Sequence, residues 1–242
     1  MRGVDFDDVI LGIPVGALRT ICTELAQQRQ RWQVMLDKVE TTPTLALQLW
    51  FRRTTYDLGA VAGRTMTAMP QPFSTWADVT HVLTREHWRG DVRPLSVAYF
   101  CGQIPPEIAR DDTARSEVGK AAQTYLQAHG ATLWPRAVPI GADRGLDPAL
   151  LYDPEHRVGP ARFDGQYWRA NIDPAELYVM SVPGSTSARL RADESGYDNL
   201  FLCGDWTRNG LNAGAAEAAA MSGVQCANAM LGKRGPVLGE LD

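Results

Sequence analysis

Apolar positions along this chain of 242 residues follow two periods. Residues 44–51 (Thr-Leu-Ala-Leu-Gln-Leu-Trp-Phe) and 95–101 (Leu-Ser-Val-Ala-Tyr-Phe-Cys) are rich in β-branched or aromatic side chains, with Pro or Gly nearby, and predict strands. Residues 166–171 predict another strand, and residues 183–186 a turn. Near the start, residues 6–14 read as a short apolar strand closed by Pro14, a strand-loop-helix entry common to α/β proteins. Val15, Leu18, Ile21, Cys22 and Leu25 then recur at helical spacing, before the polar run at 27–31. A second helix is predicted over 111–129. Asp112 is its cap, Val118, Ala122, Tyr125, Leu126 and His129 share one face, and Gly130 closes it. Residues 200–204 form a short apolar strand ending in Gly-Asp, and an Ala-rich helix follows from Asn212 to about Leu231. Residues 55–71 and 137–159 read as loop, with a short helix near 148–152.

Composition narrows the function without choosing it. With 45% hydrophobic and 21% charged residues the chain is ordinary for a globular protein of one or two domains. A net charge of −4 gives no electrostatic case for nucleic acid. Only Lys38, Lys120 and Lys233 are lysines among 24 basic residues, and the arginines are scattered. Cys22, Cys101, Cys203 and Cys226 form no Cys-x-x-Cys pair and read as small buried hydrophobes. His81, His87, His129 and His156 lack metal-ligand spacing, so no metal site is expected. There is no Gly-x-Ser-x-Gly elbow, no phosphate loop of the Gly-Lys-Ser/Thr type and no apolar run long enough for a transmembrane segment, and no signal peptide is expected. A cytoplasmic location is the default expectation.

The dense chemical signal lies at residues 199–214, Asn-Leu-Phe-Leu-Cys-Gly-Asp-Trp-Thr-Arg-Asn-Gly-Leu-Asn-Ala-Gly. A carboxylate and a set of backbone N–H groups are placed at the carboxyl end of a strand, where open α/β sheets bind nucleotide-like ligands. Read locally, the same run is a strand-ending turn followed by a helix with Asn212 as N-cap. As one ordered run it resembles the C-terminal flavin-contacting segment of the FAD-dependent amine oxidase and phytoene desaturase superfamily. The resemblance implies that Asp205 accepts hydrogen bonds from the ribityl chain of FAD, with Gly204 giving close backbone approach. It further implies that Leu211, Asn212, Ala213 and Gly214 present a helix N-terminus to the pyrimidine edge of the ring. Unpaired amides and the helix dipole stabilise negative charge there, and small side chains leave room for a flat ring.

Members of that superfamily carry a Gly-x-Gly-x-x-Gly turn for the FAD pyrophosphate, and none occurs in this sequence. The nearest run, Gly12-Ile13-Pro14-Val15-Gly16, has the wrong spacing. The expected fold is therefore mixed α/β. It comprises part of a Rossmann-like FAD-binding domain of the glutathione reductase type, lacking the N-terminal dinucleotide-binding unit, and a substrate domain of mixed sheet and helices. Residues 1–30 and 196–235 are assigned to the first and 31–195 to the second. In that fold the strands at 9–13 and 200–204 are expected to lie adjacent and parallel, with an open apolar edge along the first. The function implied is an FAD-dependent oxidoreductase of the dehydrogenase or desaturase kind, passing hydride from a small apolar or isoprenoid-type substrate to flavin. Several superfamily amine oxidases carry a lysine on a substrate-domain strand, whereas residues 44–51 hold none and Gln48 is their only amide. Flavin amine oxidation, and a non-catalytic binding module that has lost FAD, are the alternatives. No catalytic residue is identified. FAD is not expected to bind tightly to this chain alone, and an N-terminal FAD-binding chain or domain is the expected partner.

Overall fold

The computed structural model describes residues 1, 3–88, 92–142 and 144–240. In chain order the elements are β1 (Val9–Leu11), α1 (Val15–Ile21), α2 (Thr23–Gln28), α3 (Gln30–Lys38), β2 (Thr41–Thr42), β3 (Thr44–Phe51), β4 (Thr65–Met66), β5 (Thr75–Asp78), β6 (Ser96–Gln103), α4 (Ala114–Leu133), β7 (Tyr167–Asn171), β8 (Tyr178–Val179), β9 (Leu200–Leu202) and α5 (Ala216–Met230), with short 3₁₀ segments between some of them. They divide into two compact units. One comprises Met1–Thr42 and Asp173–Asp242, the other Pro43–Ile172.

The 43–172 unit is an antiparallel sheet in the order β4-β5-β6-β3-β7, covered on one face by α4. Strand β3 explains the arrangement. Leu45, Leu47, Leu49 and Phe51 alternate onto one face and are completely buried, while Thr44, Gln48 and Trp50 point the other way and are only half-buried. The register carries that face across the sheet, pairing Leu47 with Phe100 on β6 and with Trp168 on β7. Against it α4 turns Ala114, Val118, Ala122, Tyr125 and Leu126. Aromatic edges lock the interior, Phe51 against Trp134 with centroids 4.8 Å apart and Phe73 against Tyr125 at 5.2 Å. The chain crosses so closely over β6 that a Cβ on Gly102 would sit 1.9 Å from the Pro72 carbonyl oxygen. The helix runs past the predicted stop at Gly130 to Leu133, because Gly130 is a packing position: a Cβ there would lie 2.6 Å from the Leu146 amide. Strands β4 and β5 were not predicted. They pair as a short ladder, Thr65 opposite Ala77 and Met66 opposite Trp76, within or beside the Gly- and Thr-rich stretch read as loop.

The other unit joins both ends of the described chain. Strands β1 and β9 pair in parallel, with Val9, Ile10 and Leu11 opposite Leu200, Phe201 and Leu202, the adjacency and direction expected. Among the described residues the other edge of β1 has no partner strand, and Val9, Ile10 and Ile13 are exposed. The helix predicted after Pro14 is two short ones, interrupted at Cys22 (φ −110°, ψ 26°), which leaves Ile21 exposed while Val15, Leu18 and Cys22 are buried. The predicted domain boundaries at 30/31 and 195/196 differ from the structural division at 42/43 and 172/173. The reason is α3, whose Trp32, Met35 and Leu36 share one apolar cluster with Leu18, Val179, Leu190, Leu202 and Trp206. Trp32 also donates from Nε1 to the Ser195 carbonyl at 2.8 Å. Among the described residues no helix is long and apolar enough to cross a membrane.

Candidate functional site

Strand β9 ends at Leu202, and the chain turns sharply through Cys203, Gly204 and Asp205. Gly204 sits at φ +142°, a conformation that favours glycine, and a Cβ there would meet the Trp206 indole nitrogen at 2.4 Å. The space over Gly204 is thus filled by this chain's own Trp206. That ring is buried and donates from Nε1 to the Ile13 carbonyl at 3.0 Å, tying the end of β9 to the end of β1. The Gly204 amide donates to Ser222 Oγ on α5 at 2.7 Å, and its carbonyl accepts from the Thr207 hydroxyl at 2.8 Å. Ser222 in turn donates to the Ala219 carbonyl at 2.7 Å. The turn is therefore fastened from both sides by buried hydroxyls.

Asp205 projects from this turn. Among the described residues its carboxylate forms no salt bridge, and its hydrogen bonds are with its own amide and that of Trp206. Burial pushes its carboxyl above the usual carboxylate range, while the nearby Arg189 charge pulls it the other way. Arg189 is itself completely buried. It donates from Nη1 to the Asp205 backbone carbonyl at 2.7 Å, and from Nη2 to the Met180 carbonyl at 3.2 Å and Ser181 Oγ at 3.3 Å. Nothing in the sequence pattern distinguishes it from the other arginines, because a buried polar residue in a loop has no periodicity to betray it.

The helix after the turn starts later than predicted. Helix α5 begins at Ala216, with the extended Ala215 as N-cap and no capping side chain. Asn212, the expected cap, instead has φ +50° and belongs to a loop organised by Asn209. Asn209 Oδ1 accepts from the amides of Leu211 at 3.0 Å and Asn212 at 2.8 Å, and Asn212 Oδ1 accepts from the Asn209 amide at 3.1 Å. The buried Asn209 Nδ2 reaches the Ala218 carbonyl at 3.3 Å, holding the loop to the helix. Two of the four positions expected to offer amides, Leu211 and Asn212, thus have theirs already bonded within the chain. The amides of Ala213 and Gly214, and of Ala216, Glu217 and Ala218 in the first turn of α5, have no such bond among the described residues. Gly214 is required for packing: a Cβ would come 2.6 Å from the Tyr178 ring of β8.

The arrangement therefore combines an unpaired carboxylate, a run of free amides and the positive end of a 15-residue helix. The carboxylate suits a ligand with hydroxyl donors and the amides one with anionic or carbonyl acceptors, and a flavin carries both. No cluster of His, Cys, Asp and Glu among the described residues could hold a metal ion.

Comparison with known proteins agrees. The family model described as flavin containing amine oxidoreductase matches residues 149–231, a span that includes the turn, the Asn209 loop and α5. No curated protein matches the chain. A solved oxidoreductase from Methanosarcina mazei shares the fold, with a TM-score of 0.55 and 12% identity over 94% of this chain. The match covers 43% of that protein, so this chain spans less than half its length. Over residues 149–231 the chain is therefore similar to the flavin containing amine oxidoreductases.

Proposed function

We propose that this chain supplies the part of an FAD-dependent oxidoreductase that holds the ribityl chain and the pyrimidine edge of the flavin. The carrying observation is the Asp205 carboxylate, unpaired at the end of β9 and close in sequence to the uncapped N-terminus of α5. Asp205 accepts hydrogen bonds from ribityl hydroxyls. The amides of Ala213, Gly214 and the first turn of α5 stabilise the negative charge that a flavin gains on reduction. When bound, the flavin supplies the hydride-accepting chemistry, and the chain contributes orientation and a site from which water is excluded. The 43–172 unit then acts as the substrate domain. The half-buried Gln48 on β3, with Tyr99 and Tyr167 opposite it in register, offers a polar and aromatic row on the sheet face away from α4. With no lysine on that strand, a dehydrogenase or desaturase reaction on a small apolar or isoprenoid-type substrate fits better than amine oxidation.

The open edge of β1, with exposed Val9 and Ile10, is where we place a dinucleotide-binding unit, on the same chain or another, that holds the FAD pyrophosphate and adenosine. Without such a unit the purified chain is expected to be colourless after incubation with FAD. A stoichiometric yellow protein, absorbing between about 350 and 500 nm as bound flavin does, would sink that part of the proposal.

Riboflavin and lumiflavin test the site itself, since they share the ring but only riboflavin carries the ribityl hydroxyls. Titrated into ¹⁵N-labelled chain, riboflavin is expected to shift the amides of Asp205, Gly214 and Ala216. Asp205→Ala should weaken riboflavin by about 1.5–3 kcal/mol, the scale of hydrogen bonds to a charged group, and leave lumiflavin unaffected. Equal weakening of both, or no shift at these amides, removes the ribityl assignment.

A further inference from the structure

Arg189 is a cation completely removed from water that forms no salt bridge among the described residues. Buried guanidinium groups are ordinarily paired with a carboxylate in direct contact, because desolvating an unpaired charge costs several kcal/mol, roughly. Here the donors go to neutral acceptors: Nη1 to the Asp205 carbonyl, Nη2 to the Met180 carbonyl and Ser181 Oγ. Among the described residues Nε is buried with no hydrogen-bond partner. A side chain kept only to staple three loop segments would do as well with a neutral donor. The charge therefore calls for a separate explanation.

We propose that Arg189 is a positioning residue for the ligand of Asp205: it clamps the Asp205 main chain and supplies the field that keeps the neighbouring carboxylate ready to accept hydrogen bonds. The two roles use different parts of the side chain. The clamp is the short Nη1 contact to the Asp205 carbonyl, which fixes the direction in which the carboxylate leaves the turn. The field is the unpaired charge. Burial drives Arg189 toward losing its proton, and the groups opposing that are Asp205 first and the Tyr178 phenol second. Burial likewise drives Asp205 toward gaining one, opposed first by Arg189 and then by the amides of Asp205 and Trp206. Each charge sustains the other without direct contact, so both carboxylate oxygens keep acceptor capacity for a ligand. A contact ion pair would consume it. This inference rests on the reading of Asp205 as the carboxylate that meets ribityl hydroxyls.

Two variants separate charge from clamp. In Arg189→Gln the field is lost; in Arg189→Lys the charge remains but the planar, two-pronged grip does not. The Asp205 carboxyl is followed by ¹³C NMR against pH in the chain without ligand, and riboflavin affinity by amide shifts. Arg189→Gln is expected to move the Asp205 titration to higher pH and to weaken riboflavin about tenfold, a change worth about 1.4 kcal/mol. Arg189→Lys should leave the titration near that of the parent chain while still weakening riboflavin, since the clamp is gone. If Arg189→Gln does not fold, a parent-like titration in Arg189→Lys with weakened riboflavin carries the proposal, and an Asp205 titration displaced to higher pH in that variant overturns it. An Asp205 titration that is the same in the parent chain and in folded Arg189→Gln also overturns it, whatever riboflavin does. If instead the titration moves as expected and riboflavin binds no variant nor the parent, the Arg189 coupling stands and the flavin reading has failed.

Discussion

The two units reach stability by different means. The 43–172 unit is a sheet and helix built around one large apolar cluster, Leu45, Leu47, Leu49, Phe51, Phe100 and Trp134 being completely buried, and its buried Asp78, Asp153 and Gln166 are each hydrogen-bonded. In the other unit the apolar cluster is smaller, and it shares the interior with Arg189, Thr207, Asn209 and Ser222. Its β1-β9 pair is two strands wide and leaves Ile10 exposed, whereas every strand between β5 and β3 has neighbours on both sides. Apolar burial is tolerant of sequence but fixes little about fine geometry. Buried hydroxyls and amides are demanding, since each must be satisfied, and they hold a turn to a fraction of an ångström. In the unit that carries the candidate site they gather at the Gly204 turn and the Asn209 loop that follows it.

The comparison predicts its largest effect in the apolar unit. Phe100 is completely buried at the centre of the sheet, and Phe100→Ala should cost about 3–5 kcal/mol. Urea denaturation measures the loss, and amide hydrogen exchange locates it: β3 and β6 should lose protection while α5 keeps its own. Loss of protection throughout both units would show that they unfold together, and the contrast drawn above would then be one of composition alone.

That contrast also governs what was legible in the sequence. Strand β3 was read over its full range, and β6, β7 and α4 to within a few residues at each end, because alternation and helical spacing are what one-sided burial leaves behind. Helix α3 escaped notice. Its three buried residues, Trp32, Met35 and Leu36, are set among glutamines, arginines and lysine that read as surface. The turn at Gly204-Asp205 was recognisable as an ordered run, but the start of the helix after it was not. Asn212 looks like an N-cap by residue type, and it is the buried Asn209 that turns it into a loop residue instead. Arg189, Asn209 and Ser222 left no pattern, since each answers to particular carbonyls, amides or hydroxyls elsewhere in the chain.

A smaller effect probes the unit that carries the Gly204 turn. Ser222→Ala removes the hydroxyl that accepts from the Gly204 amide, and should destabilise by about 1–3 kcal/mol, the cost of leaving a part-buried donor unsatisfied. Because the loss lies at the Gly204 turn, the Asp205 amide should report it by NMR before global unfolding does. A Ser222→Ala chain with an unchanged Asp205 environment would mean that Trp206 and Thr207 hold the turn without help from α5.

Acidity gives a third handle, with a definite sign. Burial raises the Asp205 carboxyl above its unfolded value, so the folded chain binds the proton more tightly than the unfolded one. Stability then falls as pH rises through the window from the ordinary carboxylate range up to the raised folded value. Above that window the buried charge is a fixed penalty. Asp205→Asn should therefore raise the melting temperature at neutral pH, and the advantage should vanish as the pH drops below the ordinary carboxylate range. An advantage that persists at low pH would place its origin in packing and not in charge. Destabilisation by Asn at neutral pH would mean that the carboxylate is worth more to the fold through the field of Arg189 than its burial costs.

The smallest effect on the chain itself is expected at its open edge. Ile10 is paired with Phe201 through the ladder but remains more than half exposed, at 55%. Ile10→Lys places a charge on an edge strand, a substitution that edges tolerate and that discourages pairing with a further strand. Stability should therefore change by no more than about 0.5 kcal/mol, the usual range for a surface position. Leu202, on the strand alongside and completely buried, gives the internal reference: Leu202→Lys puts an unpaired charge into the apolar cluster and should prevent folding of that unit. The two substitutions also separate fold from assembly. If a dinucleotide-binding unit docks along β1, Ile10→Lys should abolish FAD uptake by the assembled protein while leaving the melting temperature of this chain alone unchanged. Normal FAD uptake with lysine at this position would move the docking edge away from β1. A large loss of stability would mean that Ile10 is already needed by the chain's own core.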